Sequence, residues 1–349
     1  MRDSRFSRCT AILIIMTAWL VACSRNEPPA PWPDPSPPGK TSAVFAPGIV
    51  STGAEERDLA VTPAGDEIFF SRSVVRGEWM IMTCRRVDGK WSAPEVAPFS
   101  TAPGVNDIEP FVSPDGSRLY FVSDRPTDSG DKGGNWDIWY VERQDSQWGP
   151  PTNPGSPLNT EEGEFFPAVT GEGHVYFCRA DPETRRNYIF RSARTSDGFA
   201  PPVKVPGPPN DSPNQFNTYV SPDESMMILS VAGREDSRGG SDYYISFRES
   251  RGEWSTLVPF PAVINSASPR EWSPFLSPDV KVFFFMSSRG RSREVRPGQP
   301  VSRADLEAYA DGIENGGSDI YWISAEFISS LRLSAQSNPL NASNREVSK

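Results

Sequence analysis

Acidic residues recur in this sequence about every 50 residues, and each opens a short run rich in apolar residues. One amide takes the place of an acid in the series, which consists of Glu56, Asp107, Glu164, Gln215 and Glu271. Carboxylates around one cavity are the groups with which glycoside hydrolases protonate a leaving group and attack a sugar. The series therefore predicts a candidate ligand or catalytic site, in which Asp107, Glu164 and Glu271 would be the catalytic candidates.

Two further sets of charged residues fall at matching points of the repeats. Arginines end the second apolar run and acids open the third: Arg125 and Arg289, and Asp137, Asp242 and Asp319. If the runs are antiparallel strands, all these residues lie at one edge of the sheet. They form either structural clasps, through charge-assisted hydrogen bonds, or a ligand site at one rim. Recurrence in nearly every repeat favours the clasps, because catalytic carboxylates need environments that differ from one another.

The runs themselves have the period-two pattern of strands. In the second copy, residues 107–113 lead into the turn Pro114-Asp115-Gly116, residues 118–123 return, and residues 137–143 follow as a third strand. Proline presets φ in such a turn, and glycine supplies the conformation that other residues avoid. Fourth strands open with an aromatic residue, at Trp91, Trp148, Phe199 and Trp254. Five copies fill residues 43–333, which we interpret as one domain.

The fifth copy has no fourth strand, and the missing piece precedes the first copy. Phe45-Ala46-Pro47 matches Phe199-Ala200-Pro201 of a fourth strand. We therefore predict an all-β fold, a five-bladed β-propeller of four-stranded antiparallel blades in which the N-terminal strand completes the last blade. A β-sandwich is the alternative, but it does not explain the displaced strand. Helical spacing predicts a short helix capped by Ser302 and a C-terminal helix over 325–333.

The quoted repeats, with their Ser-Pro-Asp-Gly turns followed by an aromatic strand, resemble the WD-repeat-like Pro-Asp propeller repeat of TolB-type periplasmic proteins. They also resemble a group of bacterial lipoproteins built from one such propeller. Departures from this turn include Gly171-Glu172-Gly173 and Pro222-Asp223-Glu224. The resemblance implies the propeller fold, and it says little about function because such propellers serve many roles.

The N-terminus has the pattern of a secretory signal. Three arginines precede an apolar run over 11–21, which is too short to span a membrane. Leu20-Val21-Ala22-Cys23 resembles the lipobox of bacterial lipoproteins, in which the cysteine is acylated and becomes the new N-terminus. We expect a signal peptide over 1–22, a lipid on Cys23, a Pro-rich tether over 23–42 and a disordered tail over 334–349. An ordinary signal peptide with an incidental cysteine is the alternative, and Ser24 after the cysteine favours the outer membrane.

Composition limits the partners and the chemistry. The formal net charge of −10 argues against nucleic acid, and it leaves the lipid anchor as the expected contact with the membrane. Cys84 and Cys178 lie in strands of non-adjacent copies and are expected to be free, buried thiols. No cysteine pair has metal-ligand spacing, so we expect no metal and no cofactor. The single histidine, His174, lies at a turn away from the acidic rim, which argues against a nucleophile–histidine triad.

The sequence thus predicts an envelope lipoprotein whose propeller is a non-catalytic binding module for another envelope protein or a glycan. The alternative is a glycoside hydrolase or carbohydrate-binding propeller with carboxylates at the channel mouth. Loops on a rigid scaffold usually carry binding sites, and the loops expected at the acidic rim are 126–134, 234–240 and 290–317.

Overall fold

Five antiparallel sheets, one for each repeat, form a ring in the computed structural model, which describes residues 36–75, 77–127, 133–291 and 302–337. The first strands of blades 1 to 5 are Glu56–Val61, Asp107–Val112, Glu164–Val169, Asn214–Val220 and Glu271–Leu276. The second strands are Glu67–Val75, Arg118–Ser123, Val175–Ala180, Met226–Ala232 and Val282–Ser287. The third strands are Glu78–Val87, Asp137–Gln144, Asn187–Ser192, Ser241–Phe247 and Asp319–Ser324.

The outer strands are only two residues long. They are Glu95–Val96, Gln147–Trp148, Val203–Lys204, Val258–Pro259 and, in blade 5, Ala43–Val44. Two additional short pairings extend the hairpins of blades 1 and 3, namely Lys90–Trp91 with the third strand and Arg194–Thr195 with Gly198–Phe199. The five-bladed propeller predicted from the repeats is therefore confirmed, including the N-terminal strand that completes the last blade.

The first strands line the centre of the ring, and each contacts the first strands of both neighbouring blades. We call the end of the ring at which the first strands begin the mouth face, and the opposite end, with the Pro-Asp turns, the turn face. Positions in the first strands are counted here from the opening acid, or from Gln215 in blade 4. Every first strand contains a bulge, because its pairing with the second strand is interrupted between the second and fifth positions. Proline occupies the fourth position in three blades, at Pro110, Pro167 and Pro274, where a bulge tolerates the missing N–H group.

The third position of every first strand is left-handed. Its residues are Asp58, Glu109, Phe166, Asn217 and Ser273, with φ of 60°, 58°, 52°, 46° and 62°. This conformation costs a residue with a side chain about 1–2 kcal/mol. All five blades nevertheless adopt this conformation, because the bulge turns each first strand where it packs against the first strands of the neighbouring blades.

The closing strand joins the two ends of the propeller. Ala43 pairs with Trp322, Val44 pairs with Tyr321, and the Phe45 N–H donates to the Ile320 carbonyl over 2.8 Å. In blade 3 the corresponding N–H belongs to Val205, which donates to Ile189. Phe45 is therefore equivalent to Val205, and the match to Phe199 was six residues out of register because both segments carry an aromatic residue before proline.

Two helices complete the described chain. Helix α1, Arg303–Ala310, begins with the predicted cap at Ser302, but none of its residues is buried and Leu306 is 48% exposed. Helix α2, Phe327–Ser337, packs its first ring against Phe260 at 5.1 Å and extends into the segment predicted as a tail. Neither helix is long and apolar enough to span a membrane. Residues 1–35, with Cys23, and 338–349 lie outside the described residues.

We predict that Phe45→Ala destabilises the whole ring. Phe45 is 2% exposed and its ring lies 5.1 Å from Phe284 and 5.2 Å from Trp322, so its loss should cost about 3–5 kcal/mol of unfolding free energy. Urea denaturation measures this quantity. Val203→Ala, at an outer-strand residue that is 66% exposed, serves as the control and should cost less than about 0.5 kcal/mol. Equal small effects of the two changes would contradict closure by the N-terminal strand.

Candidate functional site

The acids that open the first strands are buried and held by arginines. Glu56, Asp107, Glu164 and Glu271 are at most 1% exposed. The shortest distances between guanidinium nitrogen and carboxylate oxygen are 2.9 Å for Glu56–Arg72, 2.6 Å for Asp107–Arg125, 2.8 Å for Glu164–Arg179 and 3.5 Å for Glu271–Arg289. We call each of these pairs a clasp.

Each clasp arginine also bonds the chain that enters its blade. Arg179 donates to the Leu158 carbonyl at 3.0 Å, and Arg289 donates to the Ile264 carbonyl at 2.7 Å. Arg72 and Arg125 make the same kind of bond, to Ile49 and Phe99. A clasp therefore fastens the first strand, the second strand and the connection from the preceding blade. Three of these arginines contact the third strand through aromatic rings, with the guanidinium carbon 5.2 Å from the Trp139 centroid, 5.1 Å from Phe190 and 4.6 Å from Tyr321.

Two arrangements deliver the arginine to the acid. In blades 1 and 3 it lies directly opposite the acid, as Arg179 does in the pair Glu164–Arg179. In blades 2 and 5 a serine lies opposite, and the arginine two residues later donates to it, over 2.9 Å from Arg125 to Ser123. Residues two apart lie on one face of a strand. The arginine therefore reaches the acid even where it stands two residues after the position opposite the acid.

Blade 4 lacks a clasp, and its opening residue is the amide. Gln215 lies opposite Val231, and the nearby Arg234 pairs with Asp236 at 2.8 Å. The Gln215 amide donates instead to the Asn187 carbonyl. A neutral amide thus occupies the position at which the sheet supplies no cation. An unpaired carboxylate buried there would cost more free energy than the amide does.

The acids that open the third strands bond their own loops. Asp137 accepts from the side chains of Asn135 and Asn153, both at 2.8 Å. Asp242 accepts from the Arg238 N–H at 2.5 Å, and Asp319 accepts from the Glu314 N–H at 2.7 Å. Acids and arginines do share the mouth face, but these three acids order the preceding loops.

Burial disfavours the ionised form of the opening acids and of Asp319. It raises the pKa of Glu164 and Glu271 to about 7, although a hydroxyl, a backbone N–H and the clasp arginine all favour the ionised form. Burial also raises the pKa of Asp319 to about 7. The clasps hold the blades together only as far as their hydrogen bonds offset this desolvation.

A second repeated element, which the sequence analysis missed, latches each connection to the third strand before it. Asn159 accepts from the Ile138 N–H at 3.0 Å and donates to the carbonyl of the same residue at 2.9 Å. The same position in the other blades holds Ser51, Ser100, Asn210 and Asn265. Its signal in the sequence was a Ser or Asn that precedes a Thr, Ser or Asp, four to seven residues before each first strand.

A cavity of about 430 Å³, here called the central pocket, opens at the mouth face between the first strands. Its aromatic walls are Phe165, Phe216 and Trp272, the residues that follow the opening acids or amide in blades 3, 4 and 5. The equivalent residues in blades 1 and 2 are Arg57 and Ile108, and Arg57 also lines the pocket. The second position therefore varies among the blades, with arginine, isoleucine, phenylalanine twice and tryptophan, whereas the opening position repeats.

The polar groups of the central pocket come from the third position and the blade edges. Glu109 and Asn217 occupy third positions, and Asn187 and Asn214 stand where blades 3 and 4 meet. Asn187 donates to the Asn214 side-chain oxygen at 3.2 Å. Asn217 is 7% exposed, and among the described residues its amide has no hydrogen-bond partner. None of the ten residues of the predicted rim site lines this pocket.

One charged cluster backs the pocket. Arg57 lies 3.0 Å from an oxygen of Asp58 and 3.6 Å from Glu109, with its guanidinium carbon 5.0 Å from the Trp79 ring centroid. Glu109 also accepts from the Phe166 N–H at 2.6 Å. The pKa of Glu109 is raised to about 7, chiefly by burial and further by the charge of Asp58, while Arg57 and the Phe166 N–H oppose the shift.

Three aromatic rings close the channel below the pocket. The centroids of Phe111, Tyr219 and Phe275 lie 5.9–6.4 Å apart. The same position in the other two blades is Ala60 and Ala168, both fully buried, which leaves room for the three rings. A separate cavity of about 100 Å³ lies on the turn face, against the same rings. The central pocket therefore opens towards the mouth face only.

The predicted binding loops contribute little to the pocket in the described part of the chain. Loop 234–240 supplies Gly240, and loops 126–134 and 290–317 do not line the central pocket where they are described. Residues 128–132 and 292–301 of those two loops lie outside the described residues. Sequence reasoning missed the pocket residues because they do not repeat, although their variation within a repeated frame was itself a signal.

Known proteins resemble this chain in fold. No protein-family model and no curated protein sequence matches it. Similar solved structures include a TolB protein of Agrobacterium tumefaciens, with 15% identity, 67% of this chain and 70% of that chain covered, and a TM-score of 0.44. TolB of Acinetobacter baumannii has 14% identity and a TM-score of 0.45, with 78% of this chain and 57% of that chain covered.

A structure named glycoside hydrolase has 9% identity and a TM-score of 0.47, with 83% of this chain and 92% of that chain covered. Likenesses of this size concern the fold alone. The predicted propeller fold is confirmed by this chain's own strands, and the resemblance to TolB-type propellers is one of fold. The chemistry of the site rests on the residues of this chain.

We predict that Arg179→Met costs about 3–5 kcal/mol of unfolding free energy, because it leaves Glu164 buried without a cation. Urea denaturation at pH 7 measures the loss. The double change Glu164→Gln with Arg179→Met should recover at least half of it, since an amide beside an apolar chain reproduces Gln215 opposite Val231. If the single change cost less than about 1 kcal/mol, as for an exposed ion pair, the clasp would not be a structural device.

Proposed function

We propose that this protein is an envelope lipoprotein whose propeller binds a ligand in the central pocket without transforming it. The observation that carries the proposal is the Asn217 amide, which lies in the pocket wall, is 7% exposed and has no hydrogen-bond partner among the described residues. Because this amide is open to the pocket, a ligand bound there can both donate to it and accept from it.

The shape and lining of the pocket support the same conclusion. A concave site with apolar walls and a few convergent polar groups is the usual form of a small-molecule or side-chain site. Phe165, Phe216 and Trp272 supply the apolar walls, and the polar groups are three asparagines with Arg57 and Glu109. A sugar unit, or a side chain of an envelope protein, would fit a cavity of about 430 Å³.

The positions of the carboxylates favour binding over catalysis. Glycoside hydrolysis uses two carboxylates that face the same open space about 5–10 Å apart. Among the described residues only Glu109 offers a carboxylate to the central pocket. The three catalytic candidates, Asp107, Glu164 and Glu271, contact clasp arginines instead.

The lipid anchor is proposed from the sequence Leu20-Val21-Ala22-Cys23, with the lipid on Cys23 and the propeller facing the periplasm at the outer membrane. The path of the chain after the tether also suggests how the propeller is oriented towards that membrane. The Ser324 N–H, at the turn-face end of its strand, lies 3.0 Å from the Pro38 carbonyl and 3.3 Å from the Gly39 carbonyl. A tether that leaves at the turn face would present the pocket away from the membrane that holds the lipid.

Replacing Cys23 by Ala should release the protein from the membrane fraction, since no acyl chain could then be attached. Fractionation of cells into membrane and soluble envelope material measures this, with Cys84→Ala as the matched cysteine control. A Cys23→Ala protein that still sediments with the membranes would contradict the anchor and leave the pocket proposal standing.

Trp272→Ala should abolish ligand binding in the central pocket. A thermal-shift screen against envelope oligosaccharides, short peptides and a total envelope extract detects binding, because a ligand of the folded state raises the transition temperature. Trp91→Ala removes an equally large ring from the outer edge of blade 1 and should keep the shift. A shift that survives Trp272→Ala unchanged would place the binding site elsewhere.

A further inference from the structure

One carboxylate in the central pocket has no cation of its own. Asp58 and Glu109 both face the single guanidinium of Arg57, at 3.0 Å and 3.6 Å. The other residues that line the pocket are uncharged aromatic, amide or small side chains and Cys178. When both acids are ionised, the cluster therefore carries one uncompensated negative charge in a buried site.

Within the described residues, the elements packed against Glu109 supply no second cation. Blade 1 faces Glu109 with Arg57, Asp58 and the Ser71 hydroxyl, which accepts from the Glu109 N–H at 3.0 Å. Blade 3 contributes the Phe166 N–H and the thiol of Cys178, whose pKa burial raises to about 12, so that it stays neutral. Blades 4 and 5 contribute the neutral third-position residues Asn217 and Ser273 to the same ring.

The acids nearest to Glu109 along the ring already have partners. Asp107 pairs with Arg125, and Glu164 pairs with Arg179. These arginines therefore cannot neutralise Glu109 without breaking a clasp. A bound proton meets the deficit in the empty pocket, because burial raises the pKa of Glu109 to about 7.

The rest of the pocket suits an organic cation. The faces of aromatic rings attract ammonium and guanidinium groups, most strongly where water is excluded, and three aromatic residues line the walls. The Asn217 amide, 7% exposed and without a partner among the described residues, offers an oxygen that can accept from such a group.

We propose that the central pocket binds the ammonium or guanidinium group of its ligand, which takes the place of the proton on Glu109. This inference rests on the proposed function, because it assumes that the pocket is the ligand site. Charge is conserved in the exchange: one cation enters, and the proton leaves Glu109 for the solvent. The same chemistry serves a lysine or arginine side chain of a partner protein and a free small amine.

Isothermal titration calorimetry of the purified protein tests the exchange with three probes at pH 6 and pH 8. The probes are cadaverine and two peptides capped by N-acetyl and C-amide groups, Ala-Lys-Ala and Ala-norleucine-Ala, of which the second carries no charge. Cation binding should tighten about tenfold from pH 6 to pH 8, because at pH 6 the ligand must displace a proton from a group whose pKa is about 7. Near pH 6, close to one proton should be released for each ligand bound.

Glu109→Gln keeps the shape of the side chain and removes its charge. It should weaken binding of the cationic probes at pH 8 at least tenfold and abolish the pH dependence. Glu235→Gln removes an exposed charge from loop 234–240 and should change neither. Binding of Ala-Lys-Ala alone would identify a protein side chain as the source of the cation, and binding of cadaverine as well would show that a free amine suffices.

Two results would overturn the inference. The first is binding of the neutral peptide, or of an oligosaccharide from the envelope screen, with equal affinity to wild type and Glu109→Gln; the pocket would then remain the ligand site. The second is a melting temperature that changes equally with pH in both proteins. Since a raised pKa stabilises the fold while the group is protonated, wild type should lose more stability than Glu109→Gln as the pH rises from 5 to 8. Failure of every ligand to bind would overturn the proposed function as well.

Discussion

A buried carboxylate held by an arginine is the interaction on which four of the five blades depend. The arginine bonds the acid and also a carbonyl of the chain that enters the blade, as Arg179 does with Glu164 and Leu158. Because this bond joins consecutive blades, it fixes how the first strands stand around the channel. Blade 4 keeps the geometry with Gln215, whose amide bonds the Asn187 carbonyl and needs no cation. The repeated acids are therefore committed to the frame.

The frame in turn determines which residues can bind a ligand. A left-handed third position bends each first strand, and the second and third positions then face the centre. The third position differs in every blade, and the second differs except in blades 3 and 4. Together they supply the aromatic walls, Asn217, and the unequal charges of Arg57, Asp58 and Glu109. The clasps repeat around the ring, whereas the residues that line the pocket vary, so a repeated fold can still contain one specific binding site. This division places the candidate site one or two residues beyond the acids, in the central pocket.

The fold could be predicted from the sequence because its signals repeat. The turns and the alternating strands follow from local backbone rules that recur along the chain, and the displaced strand near Phe45 completes the count of the repeats. The central pocket could not be predicted in the same way. Glu109 and Asn217 follow no repeated pattern, and only the bulge brings them to the channel, although Pro110 and Pro167 marked that bulge. Helix α1 differs in the other direction. Its cap at Ser302 could be predicted from the local sequence, whereas the exposure of Leu306 depends on tertiary packing.

The most direct test of the central pocket asks whether a ligand from the envelope covers it, and it does not require the identity of that ligand. A cysteine introduced by Asn187→Cys, at the edge of the pocket, is alkylated in the presence and absence of envelope extract. Thr195→Cys, at an exposed site on the turn face, serves as the reference. We predict that the extract slows alkylation at residue 187 and leaves the rate at residue 195 unchanged. Equal rates at residue 187 with and without an extract that raises the melting temperature would contradict it.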